Sequence, residues 1–240
     1  MAGITGGRGA TGFLDFVRVI VEGDLDEVSR RLTASPALAT TPSDVGASRQ
    51  DSSTYFFADI AHYLYAGDTA LHMAAAAFRR PVAELLVAHG ADCRTRNRRG
   101  AEPLHYAADT NRWNPEAQAE TIRYLVSIGA DPNAVDSAGV TPLHRAVRTR
   151  SLPAVQALLA GGAHARQPNK TGSTPLHLAV QDTGRGGSGS PHAREQQAGI
   201  VRLLLKRGAK VTDQDGHGRA VHQAATSEWI RALLSDASTR

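Results

Sequence analysis

A single cysteine, Cys93, stands in these 240 residues. That excludes an intrachain disulfide and fits a reducing, cytoplasmic setting. Lysine is nearly as scarce, with Lys170, Lys206 and Lys210 among 27 basic residues, so the formal net charge of +4 rests on arginine. The plain account is a GC-rich genome that favours arginine codons. The functional account is bidentate recognition of carboxylate or phosphate, which arginine does better than lysine. Long apolar runs are missing too. The stretch from Phe13 to Arg18 is broken by Asp15 and Arg18, too short and too charged for a membrane span. No small-residue cleavage site follows it, so a secretory leader is not expected. Aromatic side chains are few, at five Phe, five Tyr and two Trp, and their placement becomes informative below.

What is present is a recurring tetrapeptide. It reads Thr69-Ala70-Leu71-His72, Glu102-Pro103-Leu104-His105, Thr141-Pro142-Leu143-His144, Thr174-Pro175-Leu176-His177 and Arg219-Ala220-Val221-His222. The histidines lie 33, 39, 33 and 45 residues apart. Threonine can cap a helix, and proline at the first helical position gives up only an N–H that would be unpaired anyway. The leucines then point between repeats. Gly90, Gly129, Gly162 and Gly208 are placed to end the second helix of each unit in a left-handed turn. The next motif histidine follows Gly90, Gly129 and Gly162 by 15 residues, and Gly208 by 14.

A 33-residue period with Thr-Pro-Leu-His-x-Ala resembles the ankyrin-repeat family, of a bacterial type with loop insertions. The resemblance covers about Phe13 to Leu234. It implies an all-α ankyrin-repeat solenoid of helix–turn–helix units joined by β-hairpins, used for binding rather than chemistry. We expect a flexible lead over 1–12 and one domain over 13–240. Its units lie near 13–66, 67–99, 100–138, 139–171 and 172–216, with a cap over 217–240. A solenoid buries its core between neighbouring repeats, so one continuous array suits this length. The resemblance also implies that the motif histidines tie neighbouring repeats together by hydrogen bonds. The closing helix, near Glu228 to Leu234, should turn Trp229, Ile230, Leu233 and Leu234 inward.

Three segments exceed the unit. Pro36 to His72 is 36 residues where 15 is usual, giving about 21 extra. Leu71 to Gly90 is 19, but Leu104 to Gly129 is 25 and Leu176 to Gly208 is 32, giving six and 13 extra. The second insert falls near Thr110 to Pro115 and the third near Gly184 to Pro191, both read as loops. Inserts in repeat proteins gather on one face, often the binding face. Tyr55, Phe56, Phe57, Tyr63, Tyr65 and Trp113 all lie in inserted segments. Phe56, Phe57, Ile60 and Leu64 are read as a short helix packed over the first repeat. Tyr63, Tyr65 and Trp113, with polar tips, suit a wet interface.

Candidate chemistry is thin. Residues Gly7 to Gly12 satisfy Gly-x-Gly-x-x-Gly, but that pattern needs a strand before it and a βαβ unit around it. The Gly184 to Ser190 segment lacks the end of a P-loop. Asp213, Asp215 and His217 have ligand-like spacing yet fall where a hairpin is expected, and zinc needs three or four converging ligands. Cys93 has no Cys-His-Asn company and reads as a packed thiol. We therefore assign no catalytic residue, cofactor or metal.

What remains is a surface. The resemblance implies a concave face of hairpin tips and inner helices. The residues assigned to partner binding are Tyr63, Tyr65, Arg79, Arg99, Arg112, Trp113, Arg145, Arg148, Arg150 and Arg185. Arginine and aromatic residues are enriched at interface hot spots. The leading expectation is a non-catalytic adaptor that holds an acidic or extended segment of another protein in an arginine-rich groove. The alternative is a small-molecule or hydrolytic site enclosed by the inserts, with Asp109, Asp182, Arg148 and Arg185. Nucleic-acid binding ranks last, because lysine is scarce and no recognised motif is present.

Overall fold

The computed structural model describes residues 7–109, 114–182 and 190–238. The chain divides into two compact units, Met1–Asp131 and Pro132–Arg240. Among the described residues no helix is long and apolar enough to cross a membrane.

The first unit opens with α1 (Gly7–Glu22) and α2 (Leu25–Ala34). Phe13, Phe16, Val17 and Ile20, at helical spacing, form the buried stripe of α1. Asp24 caps α2 by accepting from the Glu27 amide at 3.0 Å. Helix α1 begins at Gly7, so the lead expected to be flexible through residue 12 is helical from there. A helical backbone over Gly7 to Gly12 cannot make the strand-to-helix turn of a dinucleotide site.

Beyond the first insert come α3 (Ala70–Ala76) with α4 (Arg80–Ala88), and α5 (Pro103–Ala107) with α6 (Pro115–Ser127). The second unit repeats the scheme with α7 (Pro142–Arg148), α8 (Leu152–Ala160), α9 (Pro175–Ala179) and α10 (Pro191–Lys206), then closes with α11 (Val221–Ala224) and α12 (Glu228–Ser238). Leu71, Leu104, Leu143 and Leu176 are fully buried. Ile230 and Leu234 of α12 are buried as expected, while Trp229 and Leu233 are only half-buried. Helices α4, α6, α8 and α10 each end on a glycine in the left-handed region, such as Gly90 at φ 90° and Gly162 at φ 96°.

The motif histidines act in a fixed tautomer. In His144, Nδ1 accepts from the Thr141 amide at 3.2 Å. The proton therefore sits on Nε2, which donates to the Ser173 carbonyl of the next repeat at 3.0 Å. His72 does the same with Thr69 and Ala101, and His177 with Thr174 and Arg219. One local capping device thus doubles as a link between repeats.

The fifth motif is read one residue out of register. His222 is exposed. Gln223 occupies the histidine position, its Oε1 accepting from the Ala220 amide at 2.9 Å. Gln223 stands 15 residues beyond Gly208, the spacing that Gly90, Gly129 and Gly162 keep to their motif histidines. The Val-His pair was a coincidental match.

The second and third inserts also differ from expectation, because much of their length is helix. Helices α4 and α8 start 10 residues before their glycines, α6 starts 14 before Gly129, and α10 starts 17 before Gly208. Asn114 and Ser190 cap the lengthened helices by accepting from the Ala117 and Ala193 amides at 3.0 and 3.2 Å. Proline follows each cap at the first helical position.

Candidate functional site

The first insert is folded back on itself, its two ends joined by backbone hydrogen bonds. Ser43 donates to the Asp68 carbonyl, Gly67 to Ser43, and Ala47 to Leu64, all at 2.7 to 2.8 Å. Gly46 permits this approach, since a Cβ there would meet the Ala66 nitrogen at 2.4 Å. Asp68 is the hub. It is fully buried, and its carboxylate accepts from the Tyr65 amide at 2.6 Å, the Tyr106 hydroxyl at 2.7 Å and Asn97 Nδ2 at 2.8 Å. One carboxylate therefore joins the insert, a hairpin and α5, and its burial is offset by charge-assisted hydrogen bonds.

The aromatic part of the insert is a hairpin rather than the expected helix. Strand β1 (Phe56–Phe57) pairs antiparallel with β2 (His62–Tyr63), Phe56 opposite Tyr63. Ala61 turns the chain in the left-handed region at φ 48°. Alternation along the strands decides burial: His62 and Leu64 face inward, Tyr63 and Tyr65 are half-buried, and Phe56 is 41% exposed. The Tyr63 ring lies 4.7 Å from Phe56 and 6.1 Å from Tyr65, centroid to centroid.

Tyr65 brings in the Cys93 to Gly100 segment, which carries Arg94, Arg96, Arg98 and Arg99. The Arg99 guanidinium lies 4.4 Å from the Tyr65 ring centroid, a cation–π stack. Arg98 Nη2 donates to the Ala47 carbonyl at 2.7 Å. With Arg49, Ser48 and Tyr63 these groups line a shallow hollow of about 230 Å³. Tyr63, Tyr65 and Arg99 are therefore brought together. Arg79 is elsewhere and otherwise engaged, donating to the Val21 and Glu22 carbonyls at 2.8 and 3.0 Å at the end of α1. Arg112 and Trp113 lie outside the described residues.

In the second unit the expected arginine face is partly consumed. Arg145 pairs with Asp136 at 3.0 Å, both side chains largely buried. Burial pushes the Asp136 carboxyl up, but Arg145 and the Val140 and Ala138 amides outweigh it and hold it below the ordinary range. Arg150 sits at φ 58° and donates to the Gln181 carbonyl at 2.9 Å. Arg148 alone of these three is exposed. Arg185 lies outside the described residues.

The groups weighed for chemistry are absorbed by structure. Asp215 Oδ1 accepts from the His217 and Arg219 amides and closes a hairpin, as Asn97, Asp136 and Asn169 do in theirs. Asp213 pairs with Arg166 at 2.7 Å. Asp109 is 3.7 Å from His62 Nε2, and Asp182 accepts from the Thr226 and Ser227 hydroxyls. Cys93 is buried near the Ile128 carbonyl, and burial pushes its thiol up, away from a nucleophilic thiolate. Among the described residues, no group of three or more His, Cys, Asp or Glu could hold a metal.

Residues 50–136 and 114–215 match a family model described as ankyrin repeats, three copies. The chain belongs to the ankyrin-repeat family. It is 29% identical over 165 residues to ankyrin repeat and SOCS box protein 6 of Homo sapiens, covering 64% of this chain and 38% of that protein. It is 30% identical over 206 residues to the E3 ubiquitin-protein ligase KEG of Arabidopsis thaliana, covering 70% of this chain and 12% of that one. It is 32% identical over 132 residues to human protein phosphatase 1 regulatory subunit 27, covering 54% and 65%. The chain thus spans well under half the length of the SOCS box relative. These three are eukaryotic and lend nothing to the bacterial type expected from the sequence.

In ankyrin terms, two buried glutamines went unnoticed in the sequence. Gln118 and Gln197 each stand 11 residues before the helix-ending glycine, in the two lengthened repeats. That shared spacing was the available signal. Asp68 and Arg49 were also missed, the first because its partners lie 29 and 38 residues away.

Proposed function

We propose that this ankyrin-repeat chain is a non-catalytic adaptor that holds an acidic or extended segment of another protein in the cytoplasm. The observation that carries this is the run of exposed arginines in the Cys93 to Gly100 hairpin, beside half-buried tyrosines of an insert. Hairpins are the most exposed backbone of an ankyrin repeat. Guanidinium and phenol groups there offer bidentate and stacking contacts. The names of the relatives, a SOCS box protein and a phosphatase regulatory subunit, support protein binding of a general kind.

Immobilised chain presented with host extract at low and high salt tests the reading. A discrete set of proteins should be retained, released by salt, and lost on charge reversal at Arg94 and Arg148, because exposed charges are screened within about 10 Å at 0.1 M. Retention indifferent to both salt and charge reversal would remove the acidic partner from the reading.

A further inference from the structure

Five features coincide at the hollow between the first insert and the Cys93 to Gly100 hairpin. It is lined by Arg49, Arg98 and Arg99 together with Tyr63 and Tyr65, and no carboxylate lines it. Arg49 and Arg99 are exposed and make no ion pair among the described residues, in contrast to Arg96, which is 3.1 Å from Glu102. Two of the guanidiniums are held apart and in place, Arg98 by the Ala47 carbonyl and Arg99 by the Tyr65 ring. The neighbouring Phe56 is, with Leu25, one of two large apolar side chains exposed among the described residues. The cradle is rigid from below, since Asp68 fixes the Tyr65 backbone and Asn97 Oδ1 accepts from the Arg99 amide at 2.8 Å.

We infer that this hollow is an acidic-peptide subsite, in which successive Asp or Glu side chains of an extended partner segment meet Arg99, Arg98 and Arg49 while an apolar neighbour covers Phe56 and Tyr63. The inference rests on the adaptor reading and deepens it by naming the anchor. Charge complementarity selects the occupant. The guanidinium positions are distributed along the rim, one over a ring and one beside a carbonyl, which matches carboxylates spread along a strand better than one compact phosphate. Stacking leaves the edge N–H groups of Arg99 pointing outward, so a carboxylate can be taken in a fork without displacing Tyr65. The insert supplies half of the hollow, so a repeat without the insert would have no such subsite.

The experiment uses the full chain and a fluorescein-labelled heptapeptide of alternating glutamate and aspartate with one central leucine, read by anisotropy. Saturable one-to-one binding that weakens with salt is expected. Arg99→Gln should weaken it about tenfold or more, as loss of a charge-assisted hydrogen bond implies. Tyr65→Leu should weaken it through loss of the stack, and Arg202→Gln, at an exposed arginine of the second unit given no part in binding, should leave it unchanged. Both groups changed in the first unit are partly exposed side chains, and unaltered thermal melts confirm that the variants fold. The inference is overturned by absence of saturable binding, by equal affinity in Arg99→Gln, by tighter binding of a phosphoserine peptide of the same length, or by self-association through this face. Extract capture that depends on Arg148 but not on Arg99 would reject this subsite and leave the adaptor reading standing.

Discussion

Gln118 Nε2 donates to the Ala107 carbonyl at 2.9 Å. In the repeats of ordinary length, the carbonyl two residues past the motif histidine is met by a backbone amide: Arg79 donates to Ala74 at 3.0 Å and Ser151 to Ala146 at 3.2 Å. In the lengthened repeats a buried glutamine side chain donates to that carbonyl. Gln197 repeats the solution with the Ala179 carbonyl at 2.7 Å. The lengthened ankyrin repeats therefore conserve the hydrogen bond while exchanging the atom that makes it, because a buried carbonyl left unpaired is costly.

Replacing Gln197 by leucine should destabilise the chain by about 1–3 kcal/mol, the cost of one orphaned buried acceptor. Gln197→Glu should cost more at neutral pH, since a carboxylate would face the Ala179 carbonyl, and should recover part of the loss in acid as the group becomes a donor. Urea melts at the two pH values check this, and identical curves for wild type and Gln197→Leu would refute the substitution role.

Leu143→Ala should cost about 2–5 kcal/mol, since the side chain is fully buried and truncation leaves a cavity. Arg99→Ala, at an exposed guanidinium, should stay within about 0.5 kcal/mol. Equal midpoint shifts in denaturant for both variants would contradict the assigned core.

The segment from Arg185 to Ser190 is Gly- and Ser-rich, and a shortened chain should still fold, but its last residue is not dispensable. Ser190 caps α10, so a deletion of 185–188 should leave the melt unchanged. Extending the deletion through Ser190 should cost about 1 kcal/mol, typical of a lost cap. Calorimetry on the pair of deletions separates the two outcomes.

Acid should loosen the array through His144. Burial holds His144 below its ordinary value of 6.5, outweighing the Ser173 bond and Asp136. The unfolded chain then binds the proton more readily than the folded one. Stability from this group is complete above about pH 6.5 and falls as pH drops below it. His144→Gln, which keeps the acceptor toward Thr141, should flatten the pH dependence of unfolding between pH 7 and 5, measured by urea midpoints. A slope unchanged by the substitution would locate the proton uptake elsewhere.

Much of this architecture is local and so was written in the sequence. Thr-Pro-Leu-His fixes a helix start through contacts three residues apart, and each glycine stops a helix through its own φ. Spacing therefore placed the motif helices and the glycines that end the second helices. It failed where a match rested on residue type alone, as with His222, whose role belongs to Gln223 beside it. What only the tertiary structure decided are the partners distant in sequence. Arg79 serves a carbonyl 58 residues away, Asp68 gathers donors from three segments, and Gln118 donates to a carbonyl 11 residues before it. Whether an arginine is spent on such an internal acceptor or left at the surface depends on what folding places beside it, and no period in the sequence records that.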